Sequence, residues 1–314
     1  MQDTTETQCA IGVDVGGTKI AAGLVSLAEG RLLARELLPT RPERGGEAVL
    51  SEVIALVRSM QKAAERFEVR PASIGMGICE LVSPNGQVLS EATVRWKGLS
   101  VGAALHDATQ LPVTLDADVR AAARGEAYLG AGREFGSFLY VTVGTGISAS
   151  LVVDKIPYAG SRGLTGTFAS SGVLIPSKDG QLVGGQSLEQ FAAGPAIASR
   201  FAEACDGFKG AAPEVFALAE AGDERARSII STAGAALGAG IAHLINMLDP
   251  EAVVIGGGVG VAGGVYYESV ERAMREYVWS ELHGNVALLM AKLGNDAGII
   301  GAALGANMAA TCEQ

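Results

Sequence analysis

The chain has 314 residues, enough for two domains, and its 24 basic and 34 acidic residues give a formal net charge of −10. Because a protein of this charge repels a phosphate backbone, nucleic acid is not expected as a partner. The four cysteines are scattered without a paired spacing, which excludes a disulfide scaffold and is typical of reduced thiols in a cytoplasmic protein.

Strands and helices alternate through the first part of the chain. A glycine-rich bend at residues 14–19 joins two apolar runs, and a third strand is predicted at 31–38. Apolar residues at helical spacing predict an amphipathic helix over 46–67. Further predicted elements are a strand at 74–79, a helix at 101–109, a strand at 112–116 and an alanine-rich helix that begins near 118 and ends near 130.

A second glycine-rich bend, at residues 144–146, follows a strand that begins near 138. The elements predicted after it are a loop at 160–185, helices at 187–205, 212–221 and 224–248, a strand at 252–255, a helix at 265–277, a strand at 286–291 and a helix at 297–309. The apolar stretch 229–248 is long enough for a membrane span. Alanine and glycine dominate it and it contains His243, so a buried helix is favoured and no membrane partner is expected.

The sequences around the two glycine-rich bends can be aligned with one another. In each, an apolar run leads into glycines that let backbone N–H groups approach an anion, and a second apolar run follows. Two such copies predict a duplicated α/β fold with mixed sheets that binds a phosphate between two lobes. We expect a small N-terminal lobe at 1–115, completed by the C-terminal helix at 297–314, and a larger lobe at 116–296.

Four motifs carry a resemblance to a known family. They are DVGGTK at 14–19, GTG at 144–146, GGG at 256–258 and AGIIGA at 297–302. In order and spacing they resemble the ROK sugar kinases, of the actin/hexokinase/Hsp70-like ATPase superfamily, over nearly the whole chain. The resemblance implies a two-lobed, ribonuclease H-like duplication with a cleft between the lobes. It also implies a homodimeric, ATP-dependent enzyme that uses Mg²⁺ to phosphorylate a hydroxyl of a small sugar-like substrate.

The resemblance also assigns the groups that would bind ATP. The two bends would hold its phosphates and the third glycine run would pass under the adenosine, with these residues: Gly16, Gly17, Thr18, Lys19, Gly144, Thr145, Gly146, Gly256, Gly257 and Gly258. Asp14 would hold Mg²⁺, through water, as a hard oxygen ligand. The alternatives are a turn-capping carboxylate for Asp14 and an ordinary strand-to-helix turn for the third glycine run.

Asp118 matches the catalytic aspartate of the family. The family carries Asn-Asp-Ala-Asn after a Pro-Val, followed by Ala-Ala-Ala-x-Gly-Glu, and this chain reads PVTLDADVRAAARGE over 112–126. Counting from either flank gives Asp118. The resemblance implies that Asp118 accepts the proton of the sugar hydroxyl that attacks the γ-phosphorus. The alternative is that Asp118 only caps the alanine-rich helix.

Several positions on the acceptor side depart from the family. Ala117 and Arg120 replace two asparagines of the family, and Thr167 and Ser170 stand where the family has a glutamate and a histidine. Glu80 replaces a glycine, and Arg95 lies near the family's tryptophan segment. Glu189 keeps a glutamate that contacts the sugar in the family. The segment 176–187 aligns with the family's zinc loop but contains no cysteine, so no zinc is expected.

These departures predict a changed acceptor. A site built to hydrogen-bond one set of hydroxyls rejects analogues, so replacing several of its groups should change the substrate. We expect a hexose-like polyol other than glucose, such as an amino sugar or a cyclitol. Glu80 and Asp116 could pair with an ammonium group of such a ligand. In the alternative, Arg95 and Arg120 neutralise these carboxylates.

Three other functions are alternatives to the kinase. A ROK-like protein that senses a ligand without turnover is favoured by the lost glutamate and histidine and disfavoured by the retained Asp118 and both bends. An actin-like filament protein would carry long insertions, which this chain lacks. A nicotinamide-dependent dehydrogenase is excluded because no acidic residue follows the glycines at 256–260 at the usual distance of about 20 residues.

Overall fold

The computed structural model describes residues 8–172, 174–176 and 182–312. The chain divides into two compact units. Unit 1 contains residues 1–133, 150–165 and 295–314, and unit 2 contains residues 134–149 and 166–294. Residues 116–133, which the sequence-based division assigns to the larger lobe, belong to unit 1 here.

The strands and α-helices of the first part of the chain follow the predicted order. They are β1 (Cys9–Val15), β2 (Lys19–Ser26), β3 (Arg31–Pro39), α1 (Gly46–Arg66), β4 (Pro71–Ile78), α2 (Val101–Thr109), β5 (Val113–Ala117) and α3 (Asp118–Leu129). The periodicity of α1 is explained by its buried face, which includes Val49, Val53, Leu56 and Met60.

The second part of the chain continues the alternation. Its elements are β6 (Ser137–Val143), β7 (Ile147–Val153), β8 (Ile156–Pro157), β9 (Leu174–Pro176), β10 (Leu182–Gly184), α4 (Leu188–Ala192), α5 (Gly194–Ala204), α6 (Ala212–Glu220), α7 (Glu224–Leu248), β11 (Ala252–Gly256), α8 (Gly264–Tyr277), β12 (Ala287–Met290) and α9 (Ala297–Cys312).

The first sheet has the order β3-β2-β1-β4-β5. β1, β2 and β3 pair antiparallel, whereas β1, β4 and β5 run parallel. In this register Val15 pairs with Ile78, and Ile78 pairs with Ala117. Because parallel strands end at the same edge of a sheet, the residues that follow β1, β4 and β5 lie side by side along that edge.

Helix α9 lies very close to the first sheet. A Cβ at Gly12 of β1 or at Gly75 of β4 would overlap backbone carbonyls of α9, those of Ile299 and Ala302 respectively. Only glycine allows this approach. Helix α3 also packs on α9, which explains why residues 116–133 group with unit 1.

The second sheet has the order β12-β11-β6-β7-β8. β6, β11 and β12 run parallel and β7 pairs antiparallel with β8. Read from β8 to β12, its order reproduces that of the first sheet from β3 to β5. The predicted α/β class with two mixed sheets and a duplicated plan is therefore confirmed.

Helix α7 is the apolar segment that raised the question of a membrane span. Over the described residues it is the one helix whose length and hydropathy would allow a span. Its apolar residues Ile230, Leu237 and Ile241 are fully buried in the core of unit 2, together with Tyr266 and Val270 of α8. Packing against α8 therefore accounts for the apolar composition of α7.

Two predicted elements differ in the structure. The single helix expected at 187–205 is interrupted at Ala193, whose backbone is extended, so that α4 and α5 are separate. The break arises because Pro195 has no N–H to continue the helix, and the carbonyl of Phe191 accepts a hydrogen bond from Arg200 instead. In the region expected as loop, β9 and β10 form a short antiparallel hairpin.

Candidate active site

Two aspartates of unit 1 lie at the edge where the parallel strands end. Asp14 is the next-to-last residue of β1 and pairs in register with Gly77 of β4. Asp118 begins α3, directly after β5, and a Cβ built on Gly77 would lie 3.2 Å from the Cα of Asp118. Gly77 is thus adjacent to both aspartates, and a Cβ there would crowd α3 at Asp118 and Ala121.

Burial raises the pKa of both carboxylates. Burial raises the pKa of Asp14 to about 6, and the nearby charge of Lys19 opposes this rise. Burial and the charge of Asp14 raise the pKa of Asp118 to about 7, while the Val119 N–H, 2.6 Å from Oδ1 of Asp118, favours the ionised form. A carboxylate with a pKa near neutrality can accept and release a proton under physiological conditions.

The N-terminus of α9 contacts Asp14. A Cβ built on Gly298, the second residue of α9, would lie 2.6 Å from Oδ2 of Asp14. The positive end of a helix dipole stabilises a nearby carboxylate, and only glycine leaves room for this contact. Gly298 of the AGIIGA motif therefore lies against the carboxylate of Asp14 in the DVGGTK motif.

The first glycine-rich bend is a tight turn between β1 and β2. The N–H of Gly16 donates to the carbonyl of Lys19 at 3.0 Å, and the Thr40 hydroxyl donates to the carbonyl of Gly16 at 2.6 Å. The ammonium group of Lys19 donates to Asn295 Oδ1 at 3.3 Å. Thr18 and Lys19 are exposed, so the bend presents its polar groups to solvent.

Glu80 has a different role from the expected substrate contact. Its carboxylate is 5% exposed and accepts hydrogen bonds from the Ser90 hydroxyl and from the N–H groups of Ala92, Thr93 and Val94. The three N–H contacts are 2.9, 2.6 and 2.8 Å long. With its oxygens engaged in this way, Glu80 holds a loop of its own chain instead of an ammonium group of a ligand.

Asp116 and Arg120 are likewise paired within the chain. Nε of Arg120 lies 2.5 Å from Oδ1 of Asp116, and Nη2 of Arg124 lies 2.7 Å from Oδ2. Arg120 is 3% exposed and also donates to the carbonyl of Val82 at 2.8 Å. The neutralisation of Asp116 by Arg120, left open as an alternative, is what the structure shows.

The other predicted acceptor residues of unit 1 differ in exposure. Ala117 is 6% exposed and closes the end of β5. Arg95 is exposed and lies between the buried residues Val94 and Trp96. Arg95 does not pair with Glu80, whose oxygens are occupied by the loop.

Sequence reasoning missed two residues of this edge. Cys79 follows β4 as Asp118 follows β5, and its N–H donates to the carbonyl of Val15 at 3.0 Å. Burial, and then the charges of Asp118 and Glu80, raise the pKa of the Cys79 thiol to about 12. Thr93 hydrogen-bonds this thiol. The position of Cys79 immediately after a buried strand was a signal that could have identified it, whereas no motif marks Thr93.

In unit 2 the second glycine-rich bend has the same form as the first. The N–H of Gly144 donates to the carbonyl of Gly146 at 2.9 Å. Glu189, at the start of α4, accepts from the Ile147 N–H at 2.9 Å, and the Gly194 N–H donates to the carbonyl of Gly144 at 2.8 Å. Both α4 and α5 are therefore tied to this bend. A cavity of about 440 Å³ opens beside Thr145, lined also by Glu189, Gln190 and Pro195.

The third glycine run follows β11 and packs on the end of β6. Gly257 has a φ of +80°, and a Cβ there would overlap the carbonyl of Val143. The same carbonyl accepts from the Val259 N–H at 3.0 Å. The run is thus close to the second glycine-rich bend, which begins one residue after Val143.

Thr167 and Ser170, predicted on the acceptor side, are exposed residues of one turn in unit 2. The N–H of Ser170 donates to the carbonyl of Thr167 at 3.1 Å. Residues 177–181 of the segment expected to lack zinc lie outside the described residues. Within the described part of the chain, no group of three or more His, Cys, Asp or Glu side chains could hold a metal ion.

Comparisons with known proteins match nearly the whole chain. Residues 10–308 match the model of the ROK family. The chain is 29% identical to a glucokinase of Halalkalibacterium halodurans over 93% of this chain and 92% of that protein, and 30% identical to an N-acetylmannosamine kinase of Haemophilus influenzae over 93% of each. It resembles the crystal structure of a ROK family glucokinase from Streptomyces griseus in complex with glucose and AMPPNP, with a TM-score of 0.82 and 28% identity over 96% of this chain and 99% of that chain.

Proposed function

Because this chain belongs to the ROK family and is a sugar kinase, we propose that it transfers the γ-phosphate of ATP to one hydroxyl of a neutral, hexose-like polyol. The observation that carries the proposal is Asp118. Its carboxylate follows β5 at the edge shared by the parallel strands, and its pKa is raised to about 7. ATP as the donor is supported by the AMPPNP complex of the Streptomyces griseus relative.

In this proposal Asp118 is the general base. The acceptor hydroxyl attacks the γ-phosphorus while Asp118 takes its proton, and the bond between the γ-phosphorus and the bridging oxygen breaks with its electron pair leaving on ADP. Asp118 then releases the proton to solvent. General base catalysis of this kind contributes about 10²- to 10⁴-fold, and positioning supplies much of the remainder.

The phosphates of ATP are assigned to the glycine-rich bends. Support comes from the tight turns that both bends form, from the exposed Thr18 and Lys19 of the first bend, and from Thr145 beside the cavity of unit 2. The third glycine run is assigned to the adenosine, since a backbone without side chains lets a flat ring approach closely.

Asp14 is the proposed holder of Mg²⁺. Its carboxylate is a hard oxygen donor, it is desolvated, and it repels the neighbouring Asp118, so a divalent cation would stabilise the site. Mg²⁺ usually needs only one or two protein carboxylates beside the substrate phosphates, which agrees with the lack of a larger ligand cluster among the described residues. When bound, the ion would neutralise charge on the transferred phosphate.

The structure narrows the class of acceptor that we propose. An ammonium group on the acceptor would need a carboxylate partner, but Glu80 is occupied by four donors and Asp116 by two arginines. We therefore propose a neutral polyol, such as an N-acylated sugar or a cyclitol, other than plain glucose. Glu189 and the exposed Thr167 and Ser170 remain candidates for acceptor contacts.

The test is a panel of hexoses, N-acetylated hexosamines, free amino sugars and cyclitols incubated with ATP and Mg²⁺, with the products identified by mass spectrometry. Glucose and N-acetylmannosamine, the substrates that the relatives' names indicate, belong in the panel. Preferential phosphorylation of glucose or of a free amino sugar would contradict the proposed acceptor class. Absence of any phosphorylated product would contradict the kinase.

The second candidate function is a ROK-like protein that senses a ligand without turnover. The replacement of the family's glutamate and histidine by Thr167 and Ser170 favours it. Under this alternative, wild-type protein and Asp118→Asn consume ATP equally slowly with every acceptor. A rate that depends on both the acceptor and Asp118 supports the kinase.

We also propose a cytoplasmic homodimer, which the family resemblance supports. Sedimentation equilibrium of the purified chain distinguishes the dimer from the monomer by mass. Fractionation of the cells that express it tests the compartment.

A further inference from the structure

Polar contacts tie the chain just before α9 to the first sheet. The chain re-enters unit 1 at Asn295, two residues before α9 begins. Oδ1 of Asp296, the residue before α9, lies 2.8 Å from Nε of Arg35 on β3. Oδ1 of Asn295 accepts a hydrogen bond from the ammonium group of Lys19, at the start of β2, at 3.3 Å. Two successive residues ahead of α9 are therefore held by two neighbouring strands.

The first turn of α9 packs on the same strands. Ile299 is fully buried, and a Cβ built on Gly23 of β2 would lie 2.9 Å from its Cγ2 atom. Gly23 pairs in register with Arg35, so this apolar contact and the ion pair of Arg35 meet the β2–β3 hairpin at the same level. Gly298, which lies against the carboxylate of Asp14, is the residue before Ile299. The position of Gly298 is therefore set by contacts on both sides of it in the chain.

The pair of Arg35 and Asp296 differs from an ordinary surface ion pair. The two side chains are 37% and 36% exposed, but the Oδ1 atom of Asp296 that faces Arg35 is itself shielded from solvent. A shielded carboxylate oxygen that loses its counter-charge is destabilised unless the chain around it moves to let water in. The other pair of this hairpin, Arg31 with Glu29, is 66% and 62% exposed and does not share this property.

We propose that Arg35 and Asp296 are positioning residues for Asp14. Their ion pair fixes the first turn of α9 on the β2–β3 hairpin, and this keeps Gly298 against the Asp14 carboxylate. The inference rests on the proposed role of Asp14 as the holder of Mg²⁺. Groups that fix the orientation of a metal-binding carboxylate contribute to the affinity for the ion, although they do not touch it.

Two substitutions remove the pair, and a third is the matched control. Asp296→Asn removes the charge but keeps a side chain of the same size that also suits the start of a helix. Arg35→Gln removes the guanidinium group from the largely exposed strand β3. Arg31→Gln removes the exposed pair of the same hairpin. These variants and the double variant of Arg35 and Asp296 are measured in three ways: Mg²⁺ affinity from the rise of Tm with Mg²⁺ concentration, hydrogen exchange of the segment 297–305, and kcat as a function of Mg²⁺.

We expect each single variant of the pair to bind Mg²⁺ about 5-fold more weakly than wild type. The double variant should bind it no more weakly than the single ones, because the two residues act as one pair. The segment 297–305 should exchange about 5-fold faster in all three. Their kcat should fall by a similar factor at limiting Mg²⁺ and return to within about 2-fold of wild type at saturating Mg²⁺, with the acceptor KM changed by less than about 2-fold. Arg31→Gln should match wild type throughout.

The direction of the two changes separates positioning from a simple effect of charge. By charge alone, loss of the positive Arg35 would strengthen Mg²⁺ binding and loss of the negative Asp296 would weaken it. Positioning weakens binding in both variants. Changes of opposite direction would therefore overturn the inference, as would Mg²⁺ affinities equal to that of wild type. A merely structural role would lower the Tm of the Mg²⁺-free protein and leave its affinity for the ion unchanged.

The same measurements keep this inference apart from the proposed function. If wild-type protein phosphorylates no acceptor, the kinase proposal fails, and the Tm titrations still decide the roles of Arg35 and Asp296. If Mg²⁺ raises the Tm of wild type and of Asp14→Asn equally, the inference is overturned together with the role of Asp14, while Asp118→Asn still decides the kinase. If one of the two single variants does not fold, the direction and size of the change in the other decide.

Discussion

The guanidinium group of Arg120, in the first turn of α3, lies in an ion pair with Asp116 at the end of β5, with Nε 2.5 Å from Oδ1. The same guanidinium donates to the carbonyl of Val82, so it joins the start of α3 to the loop after β4. The resemblance to the family assigned both residues to the substrate side and left the neutralisation of Asp116 by Arg120 open as the alternative. The ion pair in the structure is the one that this alternative describes.

Replacing Arg120 by alanine should destabilise the protein strongly. The change leaves Asp116 with only Arg124 and leaves the carbonyl of Val82 without this donor, and breaking a buried pair typically costs about 3–5 kcal/mol. Denaturant unfolding measures the loss. Arg225→Ala is the control, because Arg225 is in an exposed pair 3.7 Å from Asp223 and should cost less than about 1 kcal/mol. Equal losses for the two variants would contradict a structural role for Arg120.

Asp118→Asn should abolish most of the kinase activity without unfolding the chain. We expect kcat to fall by about 10²- to 10⁴-fold, because the amide cannot accept the proton of the acceptor hydroxyl. The folded state should be as stable as wild type or more so at pH 8, since the substitution removes a desolvated charge beside Asp14. Single-turnover kinetics and thermal unfolding test the two statements separately. A variant that keeps wild-type kcat would remove Asp118 from the mechanism.

The activity should depend on pH through Asp118. The base must be ionised, so kcat/KM should rise with pH and level off above a pKa of about 7. A pH–rate profile of the wild-type enzyme at saturating Mg²⁺ measures this value. A profile that stays flat between pH 5 and 8 would show that a group with an ordinary carboxylate pKa, or no group at all, limits the rate.

The stability of the ligand-free protein should depend on pH with the opposite sign. The folded-state pKa of Asp118 is about 7 against an ordinary value of 3.8, so between these values the folded state binds the proton more tightly than the unfolded state. The free energy of unfolding therefore falls as the pH rises from about 4 to 7, by up to about 4 kcal/mol for this group. Comparison of wild type with Asp118→Asn isolates the effect, because the variant should show a shallower decrease. An equal slope in both would place the pH dependence elsewhere.

Mg²⁺ should stabilise the protein even without substrates. At pH 8 both Asp14 and Asp118 are ionised, and a bound divalent cation offsets their repulsion. Millimolar Mg²⁺ should raise the Tm of wild type by about 2–4 °C and should have little effect on Asp14→Asn. Differential scanning calorimetry measures both. An identical response of wild type and Asp14→Asn would assign the ion to another site.

Gly298→Ala tests the contact between α9 and Asp14. The added Cβ would lie 2.6 Å from the carboxylate, so either α9 or Asp14 must move. We expect a loss of at least about 10-fold in kcat and about 1–3 kcal/mol in stability. Gly284→Ala is the control, because nothing lies within 4 Å of its Cβ. Wild-type kinetics for Gly298→Ala would show that this contact does not position Asp14.

The sequence predicted those elements whose stability depends on local patterns. α2 and α7 have the predicted bounds of 101–109 and 224–248, because apolar periodicity and the stops near Pro112 and Pro250 act within each helix. The break between α4 and α5 was missed although Pro195 was visible, because the apolar period continues across it. At this point Pro195 interrupts the helix, although the apolar periodicity of a single longer helix continues across it.

The candidate site was predictable only in part. The position of Asp118 after a strand could be found by counting, since strand ends gather at one edge. The roles of Glu80 and Arg120 could not, because each is determined by partners elsewhere in the chain: Glu80 binds N–H groups of residues 92–94, and Arg120 binds the carbonyls of residues 82 and 163. Every residue type supplies backbone N–H or carbonyl groups, so the sequence does not show which side chains are hydrogen-bonded to the backbone.

The close seat of α9 on β1 and β4 has a consequence for the order in which the protein folds during synthesis. The ribosome releases all of unit 2 before it releases α9, yet α9 covers strands that were made at the outset. One face of the nascent first sheet therefore stays without α9 while more than a hundred intervening residues are translated. Chaperones that bind exposed apolar surface should therefore bind the nascent chain at the first sheet. A premature stop before Ala297 should leave this sheet without α9, so that unit 1 cannot complete its fold.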